Sequence, residues 1–444
     1  MNMDEPPHGI APYAARRSRL LESMGAGVAV VPTAPERTRN RDSYYPYRFD
    51  SYFYYLTGFA EPEAVLVLVA GEKPRSILFC REKHEERETW DGFRYGPQAA
   101  RERFGVDEAQ PFGQLDDAVA ALLGDQPALF YAPGAESEWD ARVMRWLNAV
   151  RAQARTGISA PTQIHDIRVV LDEMRLVKDA AEIDTMRRAA GISARAHRRA
   201  MQAARPGRHE YEIEAELLHE FRSHGAQFPA YWPIVAGGAN ACVLHYRDNS
   251  ARLDDGDLLL IDAGCELDGY AADITRTFPV GGKYSGAQRA AYELVLAAQA
   301  AAIGQVRPGN AWNAPHDAAV RVLAQGMLDL GLLSGSLNAV LETESYRRFY
   351  MHRTGHWLGL DVHDAGEYKH GGNWRALAPG MTLTVEPGIY IRAADDVPGD
   401  FHDIGIRIED DVLVTGSGCE VLTRETPKSV ADVEALMRVR PAGK

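Results

Sequence analysis

The order helix, Arg-Pro-Gly, helix, strands occurs twice in this chain, and that repetition constrains the fold more than any other feature of the sequence. The first copy is the helical stretch DAAEIDTMRRAAGISARAHRRAMQAA, stopped at Arg205-Pro206-Gly207 and followed by HEYEIEAELLHEFRSHG. There Ile213, Leu217 and Phe221 recur every four residues on one face. The second copy is a helix over Gln288 to Gln305, stopped at Arg307-Pro308-Gly309 and followed by another from roughly Pro315 to Leu330. Each pair leads into β-rich sequence: DGDLLLIDAG and YAADITRTFPV after the first, GMTLTVEPGIYI and IGIRIEDDVLVT after the second. Read as an internal duplication, this order gives two α/β halves facing each other across a shared cleft; Arg-Pro-Gly by itself is also an ordinary helix stop.

Each of those four β-rich stretches carries a carboxylate where the apolar pattern predicts burial. Asp262 follows four consecutive apolar residues, Asp273 sits in YAADITRTF, Glu386 in LTVEPG, and Glu409 in IRIEDD, two residues past Arg407. A buried carboxylate without a partner costs several kcal/mol, so each needs a cation or a complete hydrogen-bond network. One such acid is most simply a turn cap or a salt-bridge partner; four in matching settings point to a site.

The segment MHRTGHWLGLDVHD adds His352, His356 and His363. The spacing of the first two has the form of a helical zinc pair, but position 353 is Arg, so the HExxH motif is absent. Four carboxylates and an imidazole exceed the usual ligand set of one catalytic zinc and suit two divalent cations sharing bridging carboxylates. Oxygen-rich ligation with one nitrogen favours Mn2+, with Co2+ or Zn2+ as alternatives. Two such ions roughly 3.5–4 Å apart activate water and polarise a carbonyl, which is the chemistry of metal-assisted hydrolysis.

Composition removes competing classes. Hydrophobic residues are 45% and charged residues 25%, an ordinary globular balance. The 49 Lys plus Arg against 62 Asp plus Glu leave a net charge of −13, which disfavours nucleic acid or an anionic membrane as a partner. No segment approaches the roughly 20 apolar residues of a membrane span. The four cysteines are scattered without a CxxC pair, which predicts a reducing, cytoplasmic setting. The length of 444 residues predicts two domains. The first is a smaller α/β domain over residues 1–173, with β-rich runs at GVAVVP, YFYYLTGF, AVLVLVAG, SILFC and PALFY; the second spans 174–444.

At the residues named above the sequence resembles the Xaa-Pro aminopeptidases (aminopeptidase P), of the metallopeptidase group that also holds prolidase and methionine aminopeptidase. The resemblance extends over nearly the whole chain. It is carried by YLTGFAEPEAVLVL, VLHY, LIDAGCELDGYAADITRTFPV, HWLGLDVHD, LTVEPGIYI and GIRIEDD together. It implies that Asp262, Asp273, His356, Glu386 and Glu409 bind two metal ions, with Asp273 and Glu409 touching both and Glu386 also the acid–base group. It implies that His363 stabilises the tetrahedral intermediate and moves protons, and that His245 and His352 line the proline-side subsite. By the same resemblance Arg407 and Tyr231 support the ligands from behind, Tyr390 stands at the cleft wall, and Trp90, Arg155 and Asp42 contact substrate.

The implied fold is the pita-bread fold: two related α/β halves around a curved antiparallel sheet, preceded by a smaller α/β domain that makes oligomer contacts and helps close the active site. A homodimer or homotetramer acting on peptides with proline in second position is implied, with no nucleic-acid or membrane partner. One segment departs from the family pattern: Arg353, Thr354 and Gly355 stand where bacterial relatives tend to carry a Gly and a Ser.

A peptide bond before proline is a tertiary amide with no N–H, so a dedicated site must recognise the ring by shape. Prolidase is the nearest rival, since it shares the ligands but cleaves Xaa-Pro dipeptides and must bind their free carboxylate. YLTGFAEPEAVLVL favours the aminopeptidase. Methionine aminopeptidase needs no N-terminal domain of this size. A metal-free relative such as creatinase, or a peptide-binding module, loses the ligand set that is intact here.

Overall fold

Val28, Val30, Val65, Val67, Ile77, Phe79, Leu129 and Tyr131 alternate along their strands and bury one face of a mixed sheet in the first part of the chain. The computed structural model describes residues 7–439; residues 1–6 and 440–444, included in the two expected domain spans, lie outside the described residues. The chain divides into two compact units, Met1–Arg175 and Leu176–Lys444.

The sheet of the first unit has six strands in the order Glu108–Pro111, Arg75–Cys80, Val65–Ala70, Gly27–Pro32, Ala128–Tyr131, Gln163–Asp166. Helices Leu115–Leu122 and Ser137–Arg151 contribute Leu115, Val119, Val143, Trp146, Leu147 and Val150 to the same core. The run YFYYLTGF, expected as a strand, is instead the helix Ser51–Thr57. Its aromatics suit a strand by propensity, but its ends decide. The Asp50 side chain accepts from Phe53 N at 2.9 Å as an N-cap, and Gly58, in the left-handed region at φ 67°, stops it.

The second unit repeats its order as the sequence suggested. Helices Ala180–Ala203 and Glu210–Ser223 precede the strands Ile234–Gly237, Leu258–Asp262 and Thr275–Pro279. Helices Gly286–Ile303 and Ala314–Asp329 precede Thr382–Val385, Gly388–Ile391, Ile404–Arg407 and Asp410–Val414. Ile213, Leu217 and Phe221 are all buried and join one apolar core with residues of both halves.

The strand pairs set the positions of the acids. Leu258–Asp262 lies between Ile234–Gly237 and Thr275–Pro279, placing Asp262 opposite Ile234 on one side and Thr275 on the other. Gly388 pairs with Arg407, and Thr384 with Asp411. Only Asp262 belongs to a strand. Asp273, Glu386 and Glu409 each fall at a break between two short strands, so their backbone leaves the ladder where the side chain must be aimed. The break after Glu386 is written in the sequence, because Pro387 has no N–H to give a neighbouring strand. The segment carrying His352 and His356 is irregular rather than helical, so these residues are not the i, i+4 pair their spacing suggested. Among the described residues no helix is long and apolar enough to cross a membrane.

Candidate metal centre

A buried acidic floor with a rim of histidines is what the strand breaks produce. Asp262, Asp273, Glu409 and Arg407 are buried, Glu386, His352 and His356 are half-buried, and His245 and His363 are exposed. Oxygen or nitrogen atoms of Asp273, His356 and Glu409 lie within 4.8 Å of one another. His356 Nε2 is 3.4 Å from Asp273 Oδ2 and 3.7 Å from Glu386 Oε1. Its other ring nitrogen, Nδ1, faces the carbonyl of Trp357 at 2.9 Å, which fixes Nε2 as the atom turned to the acids.

Close backbone packing brings the histidine segment to the acids. Thr384 N donates to His356 O at 2.9 Å, and Glu386 N donates to Thr354 O at 2.8 Å. Gly355 makes this approach possible, since a Cβ there would sit 2.1 Å from Thr384 O.

The supporting residues form a connected network. Tyr231 Oη is 2.6 Å from Asp262 Oδ1 and 2.5 Å from Asp273 Oδ1. Arg407 donates to Asp262 Oδ2 at 2.5 Å, to Tyr390 Oη at 2.9 Å and to Thr275 Oγ1 at 3.1 Å. Thr275 Oγ1 in turn donates to Glu409 Oε2 at 2.6 Å. Tyr390 Oη meets His352 Nε2 at 2.9 Å, and His352 Nδ1 is 3.9 Å from Glu386 Oε2. The rings of His356 and His363 pack edge to face with centroids 4.4 Å apart. His245 lies near enough to His352 and His363 for charge on its ring to act on both.

Electrostatics show what this cluster lacks. Burial, with the charges of Asp273 and Asp262, pushes Glu386 up to about 7 against the pull of His356 and Arg407. Burial and the neighbouring acids Asp273, Glu386 and Asp262 hold Glu409 well above the carboxylate range. Asp262 is also raised, by burial first, with Arg407 opposing. Asp273 goes the other way: burial would raise it, but hydrogen bonding and charge from His356 lower it. Burial would depress His356, yet the bond to Asp273 and the charges of Glu386 and Asp273 lift it to about 9. Burial and Arg407 hold His352 neutral, down to about 3. Such acids cannot all ionise side by side without more positive charge than Arg407 and His356 supply. Oxygen donors, one imidazole and this unmet charge fit divalent metal ions, with Asp262, Asp273, His356, Glu386 and Glu409 as the available ligands.

Asp42, Trp90 and Arg155 belong to the first unit, and each is exposed there. Sequence reasoning missed several members of the second unit's network. Thr275 links Arg407 to Glu409, and Thr384 approaches Glu386 at 3.4 Å. Asp411 accepts from Asp273 N at 3.1 and 3.2 Å. Alternation through Arg407, Glu409 and Asp411 was the available signal for the last; the threonines, as ordinary strand residues, gave none.

The chain is similar to known metallopeptidases. Residues 184–416 match the model of metallopeptidase family M24, and residues 13–131 match the aminopeptidase P N-terminal domain. The Xaa-Pro aminopeptidases of Haemophilus influenzae and Escherichia coli are each 45% identical to this chain, over 96% of it and 96% and 97% of their own lengths. The structure of Pseudomonas aeruginosa aminopeptidase PepP superposes with a TM-score of 0.96 at 51% identity, covering 98% of this chain and 99% of that one. Zinc-substituted E. coli aminopeptidase P in complex with product gives 0.94 at 44% identity, over 96% and 98%. The second unit therefore has the pita-bread fold, preceded by an aminopeptidase P N-terminal domain, and this chain belongs to metallopeptidase family M24.

Proposed function

We propose that this chain is an Xaa-Pro aminopeptidase, a metallo-hydrolase that removes the first residue from peptides with proline in second position. The observation that carries the reading is the convergence of Asp262, Asp273, His356, Glu386 and Glu409, backed by Arg407, in a chain that matches Xaa-Pro aminopeptidases over nearly its full length. Those five residues would hold two divalent ions, most suitably Mn2+, with Co2+ or Zn2+ as alternatives. When bound, such ions supply a water nucleophile at neutral pH and polarise the scissile carbonyl.

The chain's own residues do the rest. Glu386, with Oε1 3.7 Å from His356 Nε2, is assigned as the group that takes a proton from water and returns it to the leaving nitrogen. That return matters for proline, whose nitrogen leaves as a secondary amine. His363 at the exposed rim, held below the usual imidazole range by burial and by His356, serves as a neutral donor to the developing oxyanion. His352, fixed by Tyr390 and kept neutral, presents with His245 an aromatic wall for the pyrrolidine ring. Arg407 and Tyr231 keep the acids in place. Asp42, Trp90 and Arg155, exposed in the first unit, are assigned as substrate contacts donated by a neighbouring subunit of a homodimer or homotetramer. Four cysteines without a disulfide support a cytoplasmic setting.

The test is hydrolysis of matched Xaa-Pro-Yaa and Xaa-Pro peptides by metal-stripped protein reloaded with Mn2+. Release of Xaa from the tripeptide is expected. Cleavage of the dipeptide alone would make the chain a prolidase.

A further inference from the structure

Glu210, the first residue of the helix Glu210–Ser223, is a fully buried carboxylate that touches none of the candidate ligands. It accepts four hydrogen bonds, two on each oxygen. Gly237 N at 2.8 Å and Asn240 Nδ2 at 3.1 Å reach Oε1, and Tyr246 Oη and Ala251 N, both at 2.8 Å, reach Oε2. All four donors belong to residues 237–251, the loop that carries His245.

The loop has little regular structure of its own beyond one 3-10 turn at Gly238–Cys242, so side chains must fix it. Asn249 clamps its far end: Oδ1 accepts from Val235 N at 3.0 Å, and Nδ2 donates to Pro233 O at 2.9 Å and Glu214 Oε2 at 3.0 Å. Leu244 and Tyr246, on either side of His245, pack against a cluster that includes Tyr390. Tyr390 is the residue that holds His352. The exposed His245 thus stands between two anchored neighbours, and the Tyr246 anchor ends on Glu210.

We propose that Glu210 is a positioning residue for the reaction, setting through Tyr246 and the 237–251 loop where His245 meets the proline side of the substrate. The inference rests on the site role given above to His245. It explains why a carboxylate is buried at this helix start, since its two oxygens accept from two backbone N–H groups, an amide and a phenol together.

The test uses the full-length metal-loaded protein with an Xaa-Pro-Yaa substrate and compares Glu210→Gln, Tyr246→Phe, His245→Ala and the double variant Glu210→Gln/His245→Ala. A glutamine has one acceptor oxygen and turns an N–H group toward Ala251 N–H, so the loop loosens. Glu210→Gln is expected to lower kcat/KM roughly tenfold, the scale of a misplaced active-site group. In the His245→Ala background the same change is expected to cost less than about twofold, since groups acting through one another are not additive. An equal loss in both backgrounds would overturn the inference, and so would full activity of His245→Ala, which leaves the aminopeptidase reading standing. If Glu210→Gln does not fold, Tyr246→Phe must show the same pattern at smaller size. Amide hydrogen exchange supplies a readout without turnover. Exchange across residues 237–251 should quicken roughly tenfold in Glu210→Gln or Tyr246→Phe while the Leu258–Asp262 strand stays protected. Unchanged exchange would sink the anchoring role even in a protein that cleaved no tripeptide, whereas a loosened loop in such a protein would leave the anchor standing and refute only the assigned activity.

Discussion

Arg407 donates to Asp262 Oδ2 at 2.5 Å from a position where both side chains are nearly out of water. The same guanidinium reaches Tyr390 and Thr275, so one cation spans a candidate ligand, the wall that holds His352 and the partner of Glu409. Removing one member of a buried pair leaves the other uncompensated and costs about 3–5 kcal/mol. Arg407→Met should therefore lower the denaturation midpoint sharply and abolish most activity. Arg407→Lys should recover little, because a single ammonium cannot reach three separated acceptors as a planar fork does. A lysine variant with both stability and turnover near wild type would contradict this account.

Glu386 should separate catalysis from folding. Its charge is opposed by neighbouring acids, and burial lifts it to about 7, so the fold gains little from keeping it ionised. Glu386→Ala should leave the metal-stripped protein at least as stable as wild type while cutting kcat by roughly 10²–10⁴, the span of general acid–base catalysis. Retained activity above a few per cent would remove its assigned role.

Metal binding should release protons. In the metal-free state around pH 7, His356 holds a proton and Glu386 is near half-protonated, and ligands must shed them to coordinate. Affinity should thus rise as pH increases from about 6 to 9. Titration calorimetry in two buffers of different ionisation enthalpy would measure the release, and a value of zero would be incompatible with this ligand set. Saturating Mn2+ should also raise stability by about 2.7 kcal/mol at a hundredfold excess over Kd.

The clustered acids were legible because burial and charge conflict in the sequence itself: LLLID and LTVEPG put acids where only a partnered acid survives. The repeated helix order was legible for a similar reason, since Arg-Pro-Gly stops and four-residue apolar spacing are local signals. Glu210 was not. It reads as one more acid among EYEIEAE, and only the folding back of Gly237, Asn240, Tyr246 and Ala251 onto it shows its use. The aromatic run at Ser51–Thr57 failed differently, because strand propensity yielded to the Asp50 cap and the Gly58 stop.

Acid should weaken the fold through His197. Burial outweighs its bond to the carbonyl of Ala263, which Nε2 meets at 2.9 Å, and lowers it from 6.5 to about 4. Between those values the unfolded chain binds a proton that the native one refuses. This contribution is complete above pH 6.5 and is lost as pH falls toward 4, by about 3 kcal/mol in all. In metal-stripped protein, His197→Gln should flatten the fall in urea midpoint between pH 7 and 4. An unchanged slope would place the acid sensitivity elsewhere.

The buried pair Lys178–Asp364 sets the loop that bears His356 and His363. Lys178 Nζ donates to Asp364 Oδ2 at 2.8 Å, and both side chains are only 1% exposed. Asp364 N donates to Trp357 O at 3.0 Å, and Asp361 N to Asp364 Oδ1 at 3.2 Å, so the carboxylate closes the loop on itself. Gly359 completes the packing, since a Cβ there would lie 2.3 Å from Asp364 Oδ2. Lys178→Met strands an anion inside and should cost about 3–5 kcal/mol, whereas Lys178→Met with Asp364→Leu should recover much of that loss. The loop's own bonds to Asp364 would still be gone, so stability should return further than activity. A double variant as unstable as the sum of its parts would show that the two side chains act independently, and the pair would lose its claim to hold the loop.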